Sequence, residues 1–109
     1  MTNQTIHVVA RFVAKPNKVE ELKAILLGLI EPTRLEAGVI KYELLQNQSQ
    51  PTDFTFVQEW EGAAALDTHL ASVREQVPMA LLEGLIAAPP DVRHYSILAA
   101  MAPPASGIA

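Results

Sequence analysis

The stretch that decides the fold is residues 39–61, VIKYELLQNQSQPTDFTFVQEWE. Apolar and polar residues alternate at its beginning and again at its end, with the polar segment SQPTD in between. Period-two alternation on both sides of a turn-forming segment is typical of a β-hairpin. With the turn centred near Gln50, Lys41 lies opposite Glu59 on one face. The other predicted pairs are Ile40 with Trp60, Tyr42 with Gln58, and Leu44 with Phe56.

A strand and a helix are predicted before the hairpin. Residues 5–14, TIHVVARFVA, are β-branched and apolar and alternate like a strand. Asn17 followed by Glu20 is the pattern of a capping box that opens a helix. Pro32 ends or bends this helix. Apolar residues recur within it at helical spacing, namely Val19, Leu22, Leu26, Leu29 and Ile30.

A second helix and a fourth strand are predicted after the hairpin. The helical pattern begins after Gly62, and Pro78 must kink it or divide it in two. Residues 91–100, DVRHYSILAA, resemble a strand. The resulting order β-α-β-β-α-β is the split βαβ arrangement, so we predict an α+β, ferredoxin-like fold with both helices on one face of an antiparallel sheet. Residues 1–100 then form a single domain, and residues 101–109 form a flexible C-terminal tail.

The second face of this sheet has no helices to cover it. It carries aliphatic residues beside charged ones, namely Val9, Val13, Leu45 and Val57 with Arg11, Lys41 and Glu59. A chain of 109 residues also buries only about 65% of its unfolded surface by itself. We therefore predict a homodimer through the sheet faces, which would bury the aliphatic residues and pair the charges.

The composition narrows the range of partners. Eight Lys and Arg against twelve Asp and Glu give a net charge of −4, without a basic run that could follow a phosphate backbone. The chain has no cysteine, so a disulfide framework or a thiolate site is excluded. No apolar run approaches the length of a membrane span, and the first residues lack the basic start of a signal peptide. We expect a cytoplasmic protein that binds neither nucleic acid nor membrane.

His69 is the first candidate for chemistry. It lies three residues after Leu66 and four before Val73, at the border of the apolar stripe of the second helix. Imidazole changes charge near neutral pH, so a histidine between helix and sheet can act as a base or hydrogen-bond donor. A histidine that only packs there remains the alternative.

Trp60 is the only tryptophan, and it shares a strand face with Phe54, Phe56 and Gln58. Such a tryptophan either packs in the core or forms the flat wall of a pocket for an aromatic ligand. In the second case Tyr42 and Gln58 are the polar groups that would orient the ligand.

A metal site on the histidines is disfavoured. In the predicted sheet His7 and His94 lie about four residues apart along neighbouring strands, which corresponds to about 13 Å. We therefore expect no metal.

Four segments in this order resemble the antibiotic biosynthesis monooxygenase family. They are VVARFVAKPNKVEEL at 8–22, EPTRLEAGVIKYELLQ at 31–46, FVQEW at 56–60 and HLAS at 69–72. The similarity covers about residues 6–98. It implies a dimeric α/β barrel that binds a small phenolic or quinol substrate between sheet and helices. It also implies oxygenation with O₂ and without a cofactor.

The resemblance implies roles for particular residues. His69 and Trp60 would be catalytic, with the imidazole deprotonating or hydrogen-bonding the phenol. These roles require the two rings to enclose one shared, unfilled space. The expected substrate-binding residues are Tyr42, Phe56, Gln58 and Leu66.

The sequence departs from two branches of the family. Phe56 stands where polyketide-oxidising members have an asparagine four residues before the tryptophan. The three positions of the haem-degrading relatives hold Ala10, His69 and Met79 instead of Asn, Trp and His. The sequence still resembles the quinol-monooxygenase branch, or one of the many family members whose substrate is unassigned.

Two alternatives stay open on the same scaffold. One is an isomerase for a small hydroxy-ketone sugar phosphate, which would need cations such as Arg34 and Arg74 for the phosphate. The other is a dimeric stress-response or binding barrel without catalytic activity.

Overall fold

The computed structural model describes residues 5–100 as an α+β fold. The predicted tail at residues 101–109 lies outside the described residues. The elements are β1 (Ile6–Val13), α1 (Val19–Leu27), α2 (Ile30–Arg34), β2 (Val39–Gln46), β3 (Asp53–Trp60), α3 (Ala63–Gln76), α4 (Met79–Glu83) and β4 (Asp91–Tyr95). The four strands form one antiparallel sheet in the order β2-β3-β1-β4, which confirms the ferredoxin-like topology.

The core lies between the helices and one face of the sheet. Alternate residues of β3 are buried, as expected for a strand with one covered face. Trp60 at the end of this strand is 0% exposed. Removing a buried aromatic side chain of this size costs about 3–5 kcal/mol of stability. Other buried residues of this core include Val8, Ala10, Leu22, Leu26, Phe54, Phe56 and Leu66.

The hairpin register is confirmed except at its open end. Lys41 lies opposite Glu59, Tyr42 opposite Gln58, and Leu44 opposite Phe56. The predicted pair of Ile40 with Trp60 is wrong, because Val39 lies opposite Trp60 and the register shifts between Val39 and Lys41. A bulge inserts one unpaired residue into a strand. Here it leaves Ile40 exposed and lets Val39 pack against the core.

The first helix differs from its prediction at both ends. Its N-cap is Lys18 and no side chain caps it, so the capping box predicted from Asn17 is absent. It ends at Leu27, and a second short helix follows. Pro32 lies in the first turn of that helix, where a backbone N–H would have no partner within α2.

The later elements follow the prediction more closely. Pro78 divides the second helical segment into α3 and α4, as predicted, and Val77 between them is extended. The fourth strand is shorter than the predicted 91–100, because Tyr95 already pairs with His7, close to the start of β1. Residues beyond Ser96 would therefore have no strand to pair with.

The other face of the sheet is uncovered in the single chain. Val9, Val13 and Val57 are partly exposed there, and Leu45 is 50% exposed. Arg11 of β1 forms an ion pair with Asp53 of the neighbouring β3, with 2.9 Å between Nε and Oδ1. Among residues 5–100, no helix is long and apolar enough to cross a membrane.

Candidate functional site

The central contact of the candidate site joins the end of β3 to the middle of α3. The ring centres of Trp60 and His69 are 4.5 Å apart, with their planes inclined by 33°. Both rings are buried, with 2% of His69 exposed. The structure therefore brings the two predicted catalytic residues together. The expectation of an unfilled space between them is wrong, because the rings pack directly against each other.

Tyr42 and Phe56 extend this contact along the sheet. The rings of Tyr42 and His69 are arranged edge to face with 5.2 Å between their centres, and Tyr42 stacks on Phe56 at 4.8 Å. These side chains lie on one face because β2 and β3 pair in register and point alternate residues at the helices. The aromatic cluster of this site consists of Tyr42, Phe56, Trp60 and His69.

The Tyr42 phenol is a neutral hydroxyl over the physiological pH range. Burial raises the pKa of Tyr42 to about 12, because a phenolate would lose its hydration. The Thr33 hydroxyl acts against this shift, and the charge of Glu36 adds to it. Thr33 Oγ1 is itself buried and lacks a partner with good hydrogen-bond geometry among residues 5–100. Tyr42 can therefore donate a hydrogen bond but does not serve as a base.

The other two predicted substrate-binding residues support the cluster from its sides. Gln58 Oε1 accepts a hydrogen bond from Trp60 Nε1 at 2.8 Å, which fixes the plane of the indole. Leu66 is buried on α3, three residues before His69 and on the side of the helix that packs against the sheet. Gln58 thus has its carbonyl oxygen occupied by the indole.

Glu36 is a site residue that sequence reasoning missed. It lies in the loop between α2 and β2, and its Oε1 is 2.9 Å from Nδ1 of His69. The two residues are 33 positions apart in the chain, so periodicity gives no signal for the contact. The only sequence signal was the segment Glu-Ala-Gly-Val, which carried the family resemblance without a role.

Burial and Glu36 act on His69 in opposite directions. Burial lowers the pKa of His69 most strongly, because the imidazolium would lose its hydration. The hydrogen bond and the charge of Glu36 raise the pKa and offset part of that effect. The net direction is downward, so His69 is neutral at neutral pH. With Nδ1–H donated to Glu36, its Nε2 atom is free to accept a proton.

Tyr42 also lines a groove that opens to solvent. This groove has a volume of about 400 Å³, and its other lining residues are Arg34, Val39, Ile40, Lys41 and Glu43. A second groove of about 510 Å³ lies beside the start of α3 and includes Gly38, Ala65 and Thr68. Neither groove is lined by Trp60 or His69. Tyr42 is therefore the member of the aromatic cluster that a molecule in the first groove would meet.

The histidine geometry differs from the prediction. Val8 is the Cα partner of His94, so His7 and His94 are one position apart along the ladder and not four. Successive residues of a strand point to opposite faces, so the two imidazoles lie on opposite sides of the sheet. No group of three or more potential metal ligands converges among residues 5–100.

Arg34 and Arg74, the two cations that a sugar phosphate would require, lie at the surface. Arg34 Nη1 bonds Glu31 Oε2 at 2.9 Å, and both side chains are exposed. Arg74 is exposed near the end of α3. Neither arginine is among the charged groups that act on His69.

The fold and the candidate site together define the structural class of this protein. It is a ferredoxin-like α+β domain with a buried histidine among aromatic rings on the helix side of the sheet. The family model described as antibiotic biosynthesis monooxygenase matches residues 5–77. The chain belongs to this family.

Individual relatives agree with this assignment. Protein SO0527 from Shewanella oneidensis is 36% identical, with a TM-score of 0.79 over 86% of this chain and 91% of that one. The uncharacterized protein sll1783 from Synechocystis is 32% identical over 92 residues, which span 84% of this chain and 63% of that protein. A Bacillus subtilis protein named "Putative monooxygenase YcnE" is 30% identical over 72% of this chain and 82% of its own length.

Proposed function

We propose that this protein is a monooxygenase that oxidises a small phenolic or quinol substrate with O₂ and needs no metal, flavin or haem. The observation that carries the proposal is the buried, neutral imidazole of His69 in contact with the rings of Trp60 and Tyr42. Membership of the antibiotic biosynthesis monooxygenase family supports the class of reaction.

His69 is the proposed general base. Burial keeps its imidazole neutral at neutral pH, so it can accept the proton of a phenol. The aromatic cluster excludes bulk water, so a phenolate formed beside His69 needs a hydrogen-bond donor from the protein. Tyr42 is the neutral donor that can hydrogen-bond the developing oxyanion, since its pKa of about 12 keeps the phenol protonated.

The chemistry balances with the substrate as the only reductant. Ground-state O₂ is a triplet and reacts poorly with closed-shell molecules, but a phenolate can transfer one electron to it. Recombination of the resulting radical and superoxide forms the new C–O bond, and the proton held by His69 returns to the peroxide. Cleavage of the O–O bond then releases water. A quinol and one O₂ thus give a hydroxyquinone and one water.

The groove beside Tyr42 is the proposed point of entry for the substrate. Trp60 and His69 pack against each other and neither lines this groove, so we propose that the substrate ring reaches the imidazole by displacing the side chain of Tyr42 or Trp60. Phe56 and Leu66 would supply apolar surface to the bound ring, and Gln58 would act through the indole that it holds.

Oxygen uptake with a panel of dihydroxyaromatic compounds, measured with a chelator present, tests this function. We expect turnover by the native chain and a loss of about 10²- to 10⁴-fold in kcat for His69→Ala. His94→Ala is the matched control, because His94 lies exposed on β4 and should leave the rate unchanged. Full activity of His69→Ala, or a rate that the chelator abolishes, would contradict the proposal.

A second candidate is a binding module without catalytic activity. The direct packing of Trp60 on His69 favours it, since two rings in contact can serve simply as core. Fluorescence titration of Trp60 with the same compounds separates the two candidates. Saturable binding without oxygen uptake by any of the compounds would favour the module.

We also propose a homodimer through the uncovered sheet face. Its aliphatic residues, Val9, Val13, Leu45 and Val57, remain partly exposed in the single chain. Exposed aliphatic side chains are costly in water, and contact with a second copy would bury them and pair the charged residues of the same face.

A further inference from the structure

The loop that carries Glu36 is held in place by two backbone features. Gly38 has a φ of 87°, in the left-handed region that favours glycine. Its carbonyl oxygen accepts a hydrogen bond from the Glu61 amide at 2.9 Å, which ties the loop to the end of β3. The Glu36 amide donates to the Thr33 carbonyl at 3.0 Å, which ties the same loop to α2.

The loop also lies against α3 at the level of His69. A Cβ atom built on Gly38 would be 2.5 Å from the Cβ of Ala65, so only glycine allows the two backbones to come this close. Ala65 precedes His69 by four residues, which is about one helical turn on the same side of α3. The close approach at Gly38 therefore helps to hold Glu36 within hydrogen-bond distance of Nδ1 of His69.

The geometry points to Glu36 as a positioning residue for His69. We propose that its carboxylate accepts the Nδ1–H bond, selects the tautomer with a free Nε2 atom, and stabilises the imidazolium that forms when Nε2 takes a proton. In that step the substrate O–H bond breaks, its electron pair stays on the phenolate oxygen, and Nδ1 keeps its hydrogen. The inference rests on the proposed function, in which His69 is the base.

The burial of the pair makes this contact more consequential than a surface ion pair. His69 is 2% exposed, and the Glu36 side chain is 17% exposed. Among residues 5–100, two aromatic rings lie against the imidazole and neither carries a charge: Tyr42, whose hydroxyl is neutral at working pH, and Trp60. Glu36 is thus the one carboxylate that acts on the charge of His69 among residues 5–100.

Two variants separate the charge of Glu36 from its hydrogen bond. Glu36→Gln keeps an oxygen that can accept from Nδ1–H but removes the charge, and Glu36→Ala removes both. Glu31→Gln is the matched control, since Glu31 is an exposed carboxylate on the neighbouring α2 and its side chain forms an ion pair with Arg34. Each folded variant is studied as the full chain, by ¹⁵N NMR of the His69 ring and by the pH profile of kcat/KM.

The native chain should show the Nδ1–H tautomer at neutral pH. Glu36→Ala should convert His69 to a mixture with the Nε2–H form, and Glu36→Gln should retain Nδ1–H. Both variants should lower the pKa of His69, because Glu36 raises it, and move the acid limb of the profile to lower pH. In a turnover assay Glu36→Ala should lose at least about tenfold in kcat with little change in KM.

The NMR measurements test the positioning role of Glu36, and the turnover assay tests the monooxygenase activity. If the tautomer and the pKa of His69 are the same in Glu36→Ala as in the native chain, the positioning role is wrong. If Glu36→Ala does not fold, Glu36→Gln decides through the pKa alone. If the NMR changes appear but the native chain oxidises none of the phenols, the proposed monooxygenase is wrong and the pair stands as a base for another reaction.

Discussion

Trp60 and His69 pack ring against ring in a tilted arrangement, with 4.5 Å between ring centres, although they come from a strand and a helix. Gln58 holds the indole and Glu36 holds the imidazole, each through one hydrogen bond. The contact is therefore fixed from both sides. It couples the protonation of His69 to the packing of the core.

The burial of His69 predicts a loss of stability in mild acid. The pKa of His69 is lowered in the folded chain, so the unfolded chain binds more protons as the pH falls through about 6.5. The free energy of unfolding should therefore decrease with falling pH in this range. Urea denaturation at a series of pH values measures the slope. His69→Gln should flatten it, and His94→Gln should not. If His69→Gln keeps the same slope, the pH dependence of stability arises from other groups.

Tyr42 predicts a loss of stability at high pH. Its pKa of about 12 in the folded chain exceeds the ordinary value of 10.0, so the folded chain holds its proton longer than the unfolded chain does. The stabilisation is complete below pH 10 and disappears between pH 10 and 12. It is on the order of 2 kcal/mol. Tyr42→Phe should be less sensitive to alkali, which denaturation at pH 9 and 11 measures. Equal losses in both proteins would contradict the burial of an un-ionised phenol.

The backbone conformation of Gly38 predicts that an alanine at this position destabilises the chain more than an alanine at Gly62 does. Gly38→Ala should destabilise the chain by about 1–3 kcal/mol, because it adds a side chain at positive φ and a clash with Ala65. Gly62→Ala is the control, since nothing lies within 4 Å of its Cβ position and its backbone is extended. Thermal melts of both variants give the comparison. Adding Ala65→Gly to Gly38→Ala should recover the part due to the clash. A Gly38→Ala variant as stable as Gly62→Ala would refute the close approach.

The uncovered sheet face predicts the outcome of a single charge insertion. Val57→Asp would place a carboxylate at the centre of this face, next to Val9 on the neighbouring strand. We expect a dimer for the native chain and a monomer for the variant, because the new carboxylate would replace a buried aliphatic contact with an unpaired charge, and an unpaired buried charge is costly. Light scattering after gel filtration measures the mass. Glu83→Asp on α4 is a control away from this face, and a native chain that elutes as a monomer would refute the dimer.

Local patterns predicted most of the fold. The alternation in residues 39–61 and the turn near Gln50 were enough to place Lys41 opposite Glu59. The bulge that leaves Ile40 unpaired lies two residues after Gly38, and the alternation of apolar and polar residues does not predict it. The capping box at Asn17 failed because the pattern permits a cap without requiring one.

The candidate site was predictable only in part. His69 and Trp60 could be placed between helix and sheet because each lies on an apolar face of its own element. The role of Glu36 could not be predicted, because the sequence of a loop does not distinguish a solvated glutamate from one that forms a tertiary hydrogen bond, as Glu36 does with His69. The separation of His7 and His94 was wrong because register between β1 and β4 depends on the long connection between them.

Because Trp60 is the sole tryptophan of the chain, its contact with His69 provides an optical signal without any label. A protonated imidazole quenches indole emission far more than a neutral one does. The intrinsic fluorescence of this protein should therefore follow the state of one histidine, and displacement of that histidine by a bound aromatic molecule should change the same signal.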